Sequence, residues 1–426
     1  VSSSNASPQD LASWLAHLEH LHPTAIDLGL DRVRAVRDRL GLQQLPFPVI
    51  TVGGTNGKGS TCALLDAFLR CAGYRAGCYT SPHLARYNER VRIGGREASD
   101  EDLVRAFERV EAARAGVTLT YFEFGTLAAA LLFVEARVEA AVLEVGLGGR
   151  LDAVNAFDPD CAVVTSIGLD HLDYLGPTRE HIGFEKAGIF RAQRPAVVSE
   201  PDPPASLLAQ AAAAGAIAYL IDRDFGARPD GREWTYWSWR TRRASLPLPS
   251  LRGEHQLRNA AAGLAALDCM RERVPVDMGA IRRGLVEVEL AGRFQVLPGR
   301  PVVVLDVAHN VQAAERLADS LARMGRFDHT LAVFSMLRDK DISGVVRALG
   351  SHIDRWLIAP SPGPRGIGVE GLQAALEQAG AGAIQSFASV EQAWSHARDA
   401  AGPDDRIVAF GSFLTVGAVL RAAGGA

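Results

Sequence analysis

Five cysteines (Cys62, Cys71, Cys78, Cys161 and Cys269) are odd in number and scattered along the chain. They lack both the pattern of a disulfide framework and the paired spacing of a zinc or redox motif, so free thiols in a reducing cytoplasm are expected. No apolar run approaches the roughly 20 residues that cross a bilayer. Residues 1–9 are polar and lack the apolar centre of a signal peptide. Charge of one sign is also scarce: the net value is −4, and no basic stretch is long enough to track a nucleic acid. Neither nucleic acid nor membrane is an expected partner. No nucleophile-elbow motif occurs either, so nothing calls for a covalent enzyme intermediate.

At 426 residues the chain exceeds one typical core, so two domains, or one large domain with additions, are expected, and 48% hydrophobic residues are ample for burial. From Phe47 onward, β-rich runs at 49–52, 140–145, 161–167, 195–199 and 216–221 alternate with helical patterns such as 101–115 and 125–136. Apolar strands without alternation suit a parallel sheet covered on both faces. Residues 234–251, with Trp234, Tyr236, Trp237, Trp239, Pro247 and Pro249, break that rhythm and predict a small antiparallel ribbon on the domain surface. Helices at 254–273 and 278–286 follow. A second α/β series then has strands at 302–305, 331–334, 355–358 and 407–410 and helices at 312–324 and 390–400. Gly292, Pro298, Gly299 and Pro301 cluster between the two series, which divides the chain into residues 1–292 and 293–426.

Residues 53–61 read Gly-Gly-Thr-Asn-Gly-Lys-Gly-Ser-Thr, between the apolar run of Val49, Ile50 and Val52 and the helical run of Cys62, Leu64, Leu65 and Phe68. A strand, a glycine loop and a helix N-terminus hold phosphate because backbone N–H groups converge, the helix dipole favours negative charge and a lysine neutralises oxygens. The loop departs from the common form in that Gly59 separates Lys58 from the hydroxyls of Ser60 and Thr61.

Other predicted strands also end in polar groups. Glu144 closes one and precedes Gly146-Leu147-Gly148-Gly149-Arg150-Leu151-Asp152. A carboxylate at the carboxyl end of a parallel strand faces the ligand crevice and can hold Mg²⁺. The glycines after it do not make a dinucleotide site, since Leu151 stands at the third glycine position. Ser81 and His83 end another strand, and Thr165, Ser166, Asp170 and His171 a third. Lys186 lies beside Glu185 in an apolar setting, Asp306 and His309 end a strand of the second series, and Arg293 lies in the connecting segment.

Together these segments resemble the Mur ligase superfamily, and within it the bifunctional dihydrofolate synthase and folylpolyglutamate synthase branch. The resemblance is carried by Gly54-Thr55-Asn56-Gly57-Lys58-Gly59-Ser60, Ser81-Pro82-His83-Leu84, Tyr121-Phe122-Glu123-Phe124-Gly125-Thr126, residues 143–152, Glu185-Lys186-Ala187-Gly188-Ile189 and Asp306-Val307-Ala308-His309-Asn310, in order over nearly the whole chain. The additional Gly59 is the rule in that family. The resemblance implies a P-loop ATPase domain with a mostly parallel sheet, followed by a smaller Rossmann-like α/β glutamate-ligase domain.

It also implies roles. Thr55, Asn56, Gly57, Lys58, Gly59 and Ser60 would bind ATP phosphates, with Asn259, Arg293 and Asp306 completing the nucleotide site. Ser60, Ser81, Glu144 and His171 would ligate Mg²⁺ at two sites. Lys186 would be carbamylated, which turns a repelled ammonium into an anionic oxygen ligand. Lys58, Glu144, His171 and Lys186 then form the catalytic set. Thr120, Tyr121, Phe122, Glu123, Leu151, Asp152 and Ala153 would carry the folate, with Ile26, Asp27 and Leu28 forming the dihydropteroate part. The substrates implied are ATP, L-glutamate, dihydropteroate and reduced folates, in a cytoplasmic monomer; assistance by a monovalent cation is left open.

The implied reaction is carboxylate activation as an acyl phosphate, followed by attack of the glutamate amine. Polyglutamylation alone is the nearer alternative. A non-ligase P-loop ATPase would use Lys58 but not the Glu144, His171 and Lys186 set, and a nucleotide-binding regulator would release no ADP in response to glutamate. A cell-wall ligase would need a dedicated N-terminal domain, for which residues 1–46 are too few.

Overall fold

The computed structural model describes residues 8–363 and 365–424. Eight strands form the first sheet: β1 (Val49–Gly53), β2 (Ala76–Tyr79), β3 (Val91–Ile93), β4 (Arg96–Glu97), β5 (Ala140–Glu144), β6 (Cys161–Val164), β7 (Pro195–Val198) and β8 (Ile217–Leu220). Their order is β4-β3-β2-β5-β1-β6-β7-β8, parallel except at the β2-β3-β4 edge. Strands β1, β5 and β6 are buried along their whole length, which is why their sequences do not alternate. Val49, Ala141 and Leu143 face a core with helices Asp100–Arg114 and Tyr121–Glu135. Their neighbours Ile50, Val52 and Val142 face a core with Lys58–Cys71 and His255–Cys269.

A three-stranded antiparallel sheet of β9 (Phe225–Asp230), β10 (Glu233–Ser238) and β11 (Arg242–Pro247) forms the ribbon expected at 234–251. It buries Trp234 and Tyr236, and the Tyr236 hydroxyl donates to Asp268 at 2.7 Å. The second large sheet contains β12 (Gln295–Leu297), β13 (Val302–Leu305), β14 (Thr330–Phe334), β15 (Arg355–Ile358), β16 (Ala383–Ser386) and β17 (Arg406–Phe410). Its order is β12-β13-β17-β14-β15-β16, parallel apart from β12. Helices cover both faces of this sheet.

Several boundaries differ from the sequence reading. The helix expected from residue 125 begins at Tyr121, because Thr120 and Glu123 make a reciprocal cap: Glu123 N–H donates to Thr120 Oγ1 and Thr120 N–H to Glu123 Oε2. Strand β6 stops at Val164, where the hydroxyls of Thr165 and Ser166 turn to the Asn56 carbonyl. The helix expected over 254–273 ends at Cys269. Helices Leu11–His20 and Asp31–Arg39 precede β1 and bury Trp14, Leu18, Val33 and Val36 against the first core. Among the described residues no helix is long and apolar enough to cross a membrane.

Candidate active site

The carboxyl ends of β1, β2 and β5 and the loops of the second sheet enclose a cavity of about 580 Å³. At its floor the chain leaves β1 through Gly54 (φ 142°), where a Cβ would lie 2.0 Å from Thr165 Oγ1. It then passes Gly57 (φ 89°), where a Cβ would lie 2.6 Å from Asn259 Oδ1. Only glycine fits either place, and the second brings Asn259 onto the loop. Asn56 N–H donates to Ser166 Oγ, and the Thr55 hydroxyl donates to the Gly168 carbonyl. Helix Lys58–Cys71 starts within the loop, and Lys58 Nζ donates back to the carbonyls of Gly54 (3.0 Å) and Thr55 (3.2 Å).

Glu144 is buried at the end of β5 and accepts from Ser81 N–H at 3.1 Å. Both its carboxylate oxygens lie 3.8 Å from the point a Gly59 Cβ would occupy, against the first turn of helix Lys58–Cys71. Burial raises the Glu144 carboxyl, against the opposing pull first of Lys58. Lys186, fully enclosed on helix Arg179–Ala187, donates to the Gly54 carbonyl at 2.9 Å. Burial, and then the nearby Lys58 charge, lower its amine to about 7. His171 occupies the left-handed region (φ 53°) at the cavity wall, and burial lowers its imidazole to about 3.

From the second sheet's side, Arg293 lays its guanidinium over the Phe413 ring and places Nη2 3.6 Å from the Gly59 Cβ position. Asp306 accepts from the N–H groups of Phe294 and Ala308, each at 2.8 Å. Asn310 donates to Asn56 Oδ1 and to Asp170, and Asn56 donates to Gln312. Asp170 also pairs with Lys340 and faces His309. Although burial opposes its ionisation, His309 and Lys340 hold the Asp170 carboxyl well below the usual carboxylate range.

At the opposite end, Asp27 pairs with Arg32 (2.7 Å), which reaches Glu123 (3.2 Å). This bridge ties segment 26–28 to segment 120–123. Phe122 presses its ring on the chain at Gly146, where a Cβ would lie 2.7 Å away. Asp152 accepts from the N–H groups of Leu147 and Val154, while burial raises its carboxyl to about 7. Ile26, Leu28, Thr120, Tyr121, Leu151 and Ala153 line the same cavity. Every residue given a role by the family resemblance except Asn259 lines it, and Asn259 touches Gly57; Thr61, Thr165 and Ser166 do not line it. The sequence reading gave no role to Asp170, Lys340, Arg32 or Arg90, because their partners are brought together only by the fold.

Among the described residues no three His, Cys, Asp or Glu side chains gather to hold a metal. Ser60, Ser81 and Glu144 nevertheless line the same cavity, and a carboxylate with hydroxyls suits Mg²⁺, which takes one or two carboxylates and completes its shell with water and substrate phosphate. His171 and Lys186 line the cavity as well, and an ammonium at Lys186 could serve a cation only if it carried an oxygen ligand.

Phosphate loop, buried carboxylate and a second α/β domain over one cavity match a known class. The Mur ligase middle domain matches residues 52–267, and the Mur ligase glutamate ligase domain matches residues 292–413. The chain is 46% identical over 417 residues to the dihydrofolate synthase/folylpolyglutamate synthase of Escherichia coli, covering 98% of this chain and 96% of that one. The structure of E. coli FolC in complex with DHPP and ADP superposes with a TM-score of 0.93 at 45% identity, covering 98% of each chain. A bifunctional folylpolyglutamate synthase/dihydrofolate synthase with Mn, AMPPNP and L-glutamate bound gives 0.91 at 45% identity, again over 98% of each. The chain therefore belongs to the Mur ligase family, and within it to the dihydrofolate synthase/folylpolyglutamate synthases.

Proposed function

We propose that this chain is an ATP-dependent carboxylate–amine ligase that adds L-glutamate to dihydropteroate and to reduced folates. The observation that carries the reading is the convergence in one cavity of the phosphate loop, the Ser60, Ser81 and Glu144 oxygens and the Asp27–Arg32–Glu123 bridge. The division at residues 292/293 would give an ATP-binding part and a glutamate-ligase part, acting as a cytoplasmic monomer.

ATP phosphates over residues 54–60 would meet the helix N-terminus, Lys58 and Arg293. The substrate carboxylate, presented from the side of Tyr121, Phe122 and Leu151, attacks the γ-phosphorus, giving an acyl phosphate and ADP. The amine of glutamate then attacks the acyl carbon and expels phosphate, and the amide forms. Ser60, Ser81 and Glu144 would hold one Mg²⁺, and His171 with carbamylated Lys186 a second. Bound Mg²⁺ supplies charge neutralisation for the transferring phosphoryl group. Lys58 and Arg293 add fixed positive charge to the same oxygens. The polar contacts from Asn56 and Asp170 to Asn310 and Lys340 link the two sides of the cavity, and closing there over bound substrates would exclude water that hydrolyses the acyl phosphate.

The test is ADP release with ATP, Mg²⁺ and L-glutamate, offering dihydropteroate and tetrahydrofolate separately and weighing the products. One glutamate added to each is expected. Addition to the folate alone would remove the dihydropteroate activity, and glutamate-independent ADP release would overturn the ligase reading.

A further inference from the structure

Arg90 closes the short 3-10 helix Tyr87–Arg90 and is 9% exposed, yet no carboxylate pairs with it among the described residues. Its Nε donates to His83 Nδ1 at 2.8 Å, and its guanidinium lies 5.3 Å from the Tyr87 ring centre and 5.4 Å from that of Tyr121. The aromatic faces offset part of the cost of enclosing a cation. They supply no hydrogen-bond acceptor, and the remaining guanidinium N–H groups have none from protein among the described residues. These N–H groups are not sealed off but open to the cavity, where an anion would hold a guanidinium more strongly than water does. Arg90 lines the active-site cavity, so an anion can reach it.

Its position narrows the choice of anion. Tyr121 belongs to the segment assigned to the pteroate end, whereas His83 is two residues from Ser81, which donates to Glu144 at the phosphate end. Arg90 thus stands between the two ends. Dihydropteroate brings one carboxylate, the one that is activated. A folate brings two: the γ-carboxylate that reacts, and an α-carboxylate a few bonds away that does not.

Building on the ligase reading above, we propose that Arg90 receives the α-carboxylate of the terminal glutamyl unit of folate substrates. It is then a specificity residue for glutamylation of folates and makes no contact that dihydropteroate needs. A planar guanidinium forks onto a carboxylate through two parallel N–H bonds, a geometry lysine does not reproduce.

The test compares tetrahydropteroylglutamate with tetrahydropteroyl-4-aminobutyrate, which keeps the reacting carboxylate and lacks the α-carboxylate. In the unaltered protein the analogue's KM is expected to be about tenfold to a hundredfold higher, as for loss of a charge-assisted hydrogen bond. In Arg90→Gln the KM for tetrahydropteroylglutamate should rise to meet that of the analogue, while kcat and KM for dihydropteroate stay within about twofold. Arg90→Lys should recover part of the difference. Equal KM values for the two folates in the unaltered protein would overturn the proposal whether or not a variant folds. Equal losses on dihydropteroate and folate in a folded Arg90→Gln would overturn it too, in favour of a structural role. Absence of glutamate addition to every acceptor would instead remove the ligase reading, and this proposal with it.

Discussion

Lys58 and Lys186 donate to the same acceptor, the Gly54 carbonyl, at 3.0 and 2.9 Å. Lys186 is enclosed, and burial, with the neighbouring Lys58 charge second, lowers its amine to about 7. Only a neutral amine attacks carbon dioxide. At fixed dissolved carbon dioxide, loading of Lys186 should therefore grow as pH rises through about 7 and fall below it. Carbon-13 NMR of protein in labelled bicarbonate reads this directly, and a bare amine in active protein at pH 8 would contradict it. Lys186→Ala should lose activity that bicarbonate does not restore and that a small carboxylate partly recovers. Lys58→Ala should abolish ligation while circular dichroism stays unchanged; near-normal turnover would remove the phosphate-loop assignment.

Elements place these residues through their ends. Five short polar segments, after β1, β2, β5, β6 and β13, open into one cavity, as parallel strands dictate. Helix Tyr121–Glu135 adds a second device, since its cap at Thr120 also sets Tyr121, Phe122 and Glu123 against the cavity. Thr120→Ala should cost about 1 kcal/mol of stability in urea unfolding, the usual value of a lost cap. It should also raise KM for dihydropteroate more than KM for ATP; equal effects would separate the cap from the pteroate segment. Strand ends were legible in the sequence because apolar runs stop at Gly53, Glu144 and Asp306. Strand β16 was not, as Ala383–Ser386 is half polar and mostly exposed at the sheet edge. The helix start at Tyr121 was missed because a run with apolar residues on all sides has no amphipathic face to mark its beginning.

At the scale of the whole molecule, Arg323–Glu254 and Lys340–Asp170 are ion pairs that cross between the domains, and burial ranks them. Glu254–Arg323 is exposed, with side chains 71% and 59% accessible, and pairs of that kind contribute about 0–1 kcal/mol. Asp170–Lys340 is only 8% and 6% accessible, and removing one partner of such a pair costs roughly 3–5 kcal/mol. Lys340→Ala should therefore open the two domains and enlarge the radius of gyration in small-angle scattering, whereas Arg323→Ala should leave it unchanged. Identical scattering from the two variants would contradict the ranking. This pairing was invisible in sequence, since Asp170 and Lys340 lie 170 positions apart and neither belongs to a nucleotide motif.

Activation of the substrate carboxylate by phosphorylation leaves an isotopic mark, because one carboxylate oxygen departs with the phosphate. Dihydropteroate carrying oxygen-18 in its carboxylate, turned over with ATP and L-glutamate, tests it most directly. One labelled oxygen in the released phosphate for each amide formed is the predicted result. Amide formation with unlabelled phosphate would rule out an acyl phosphate.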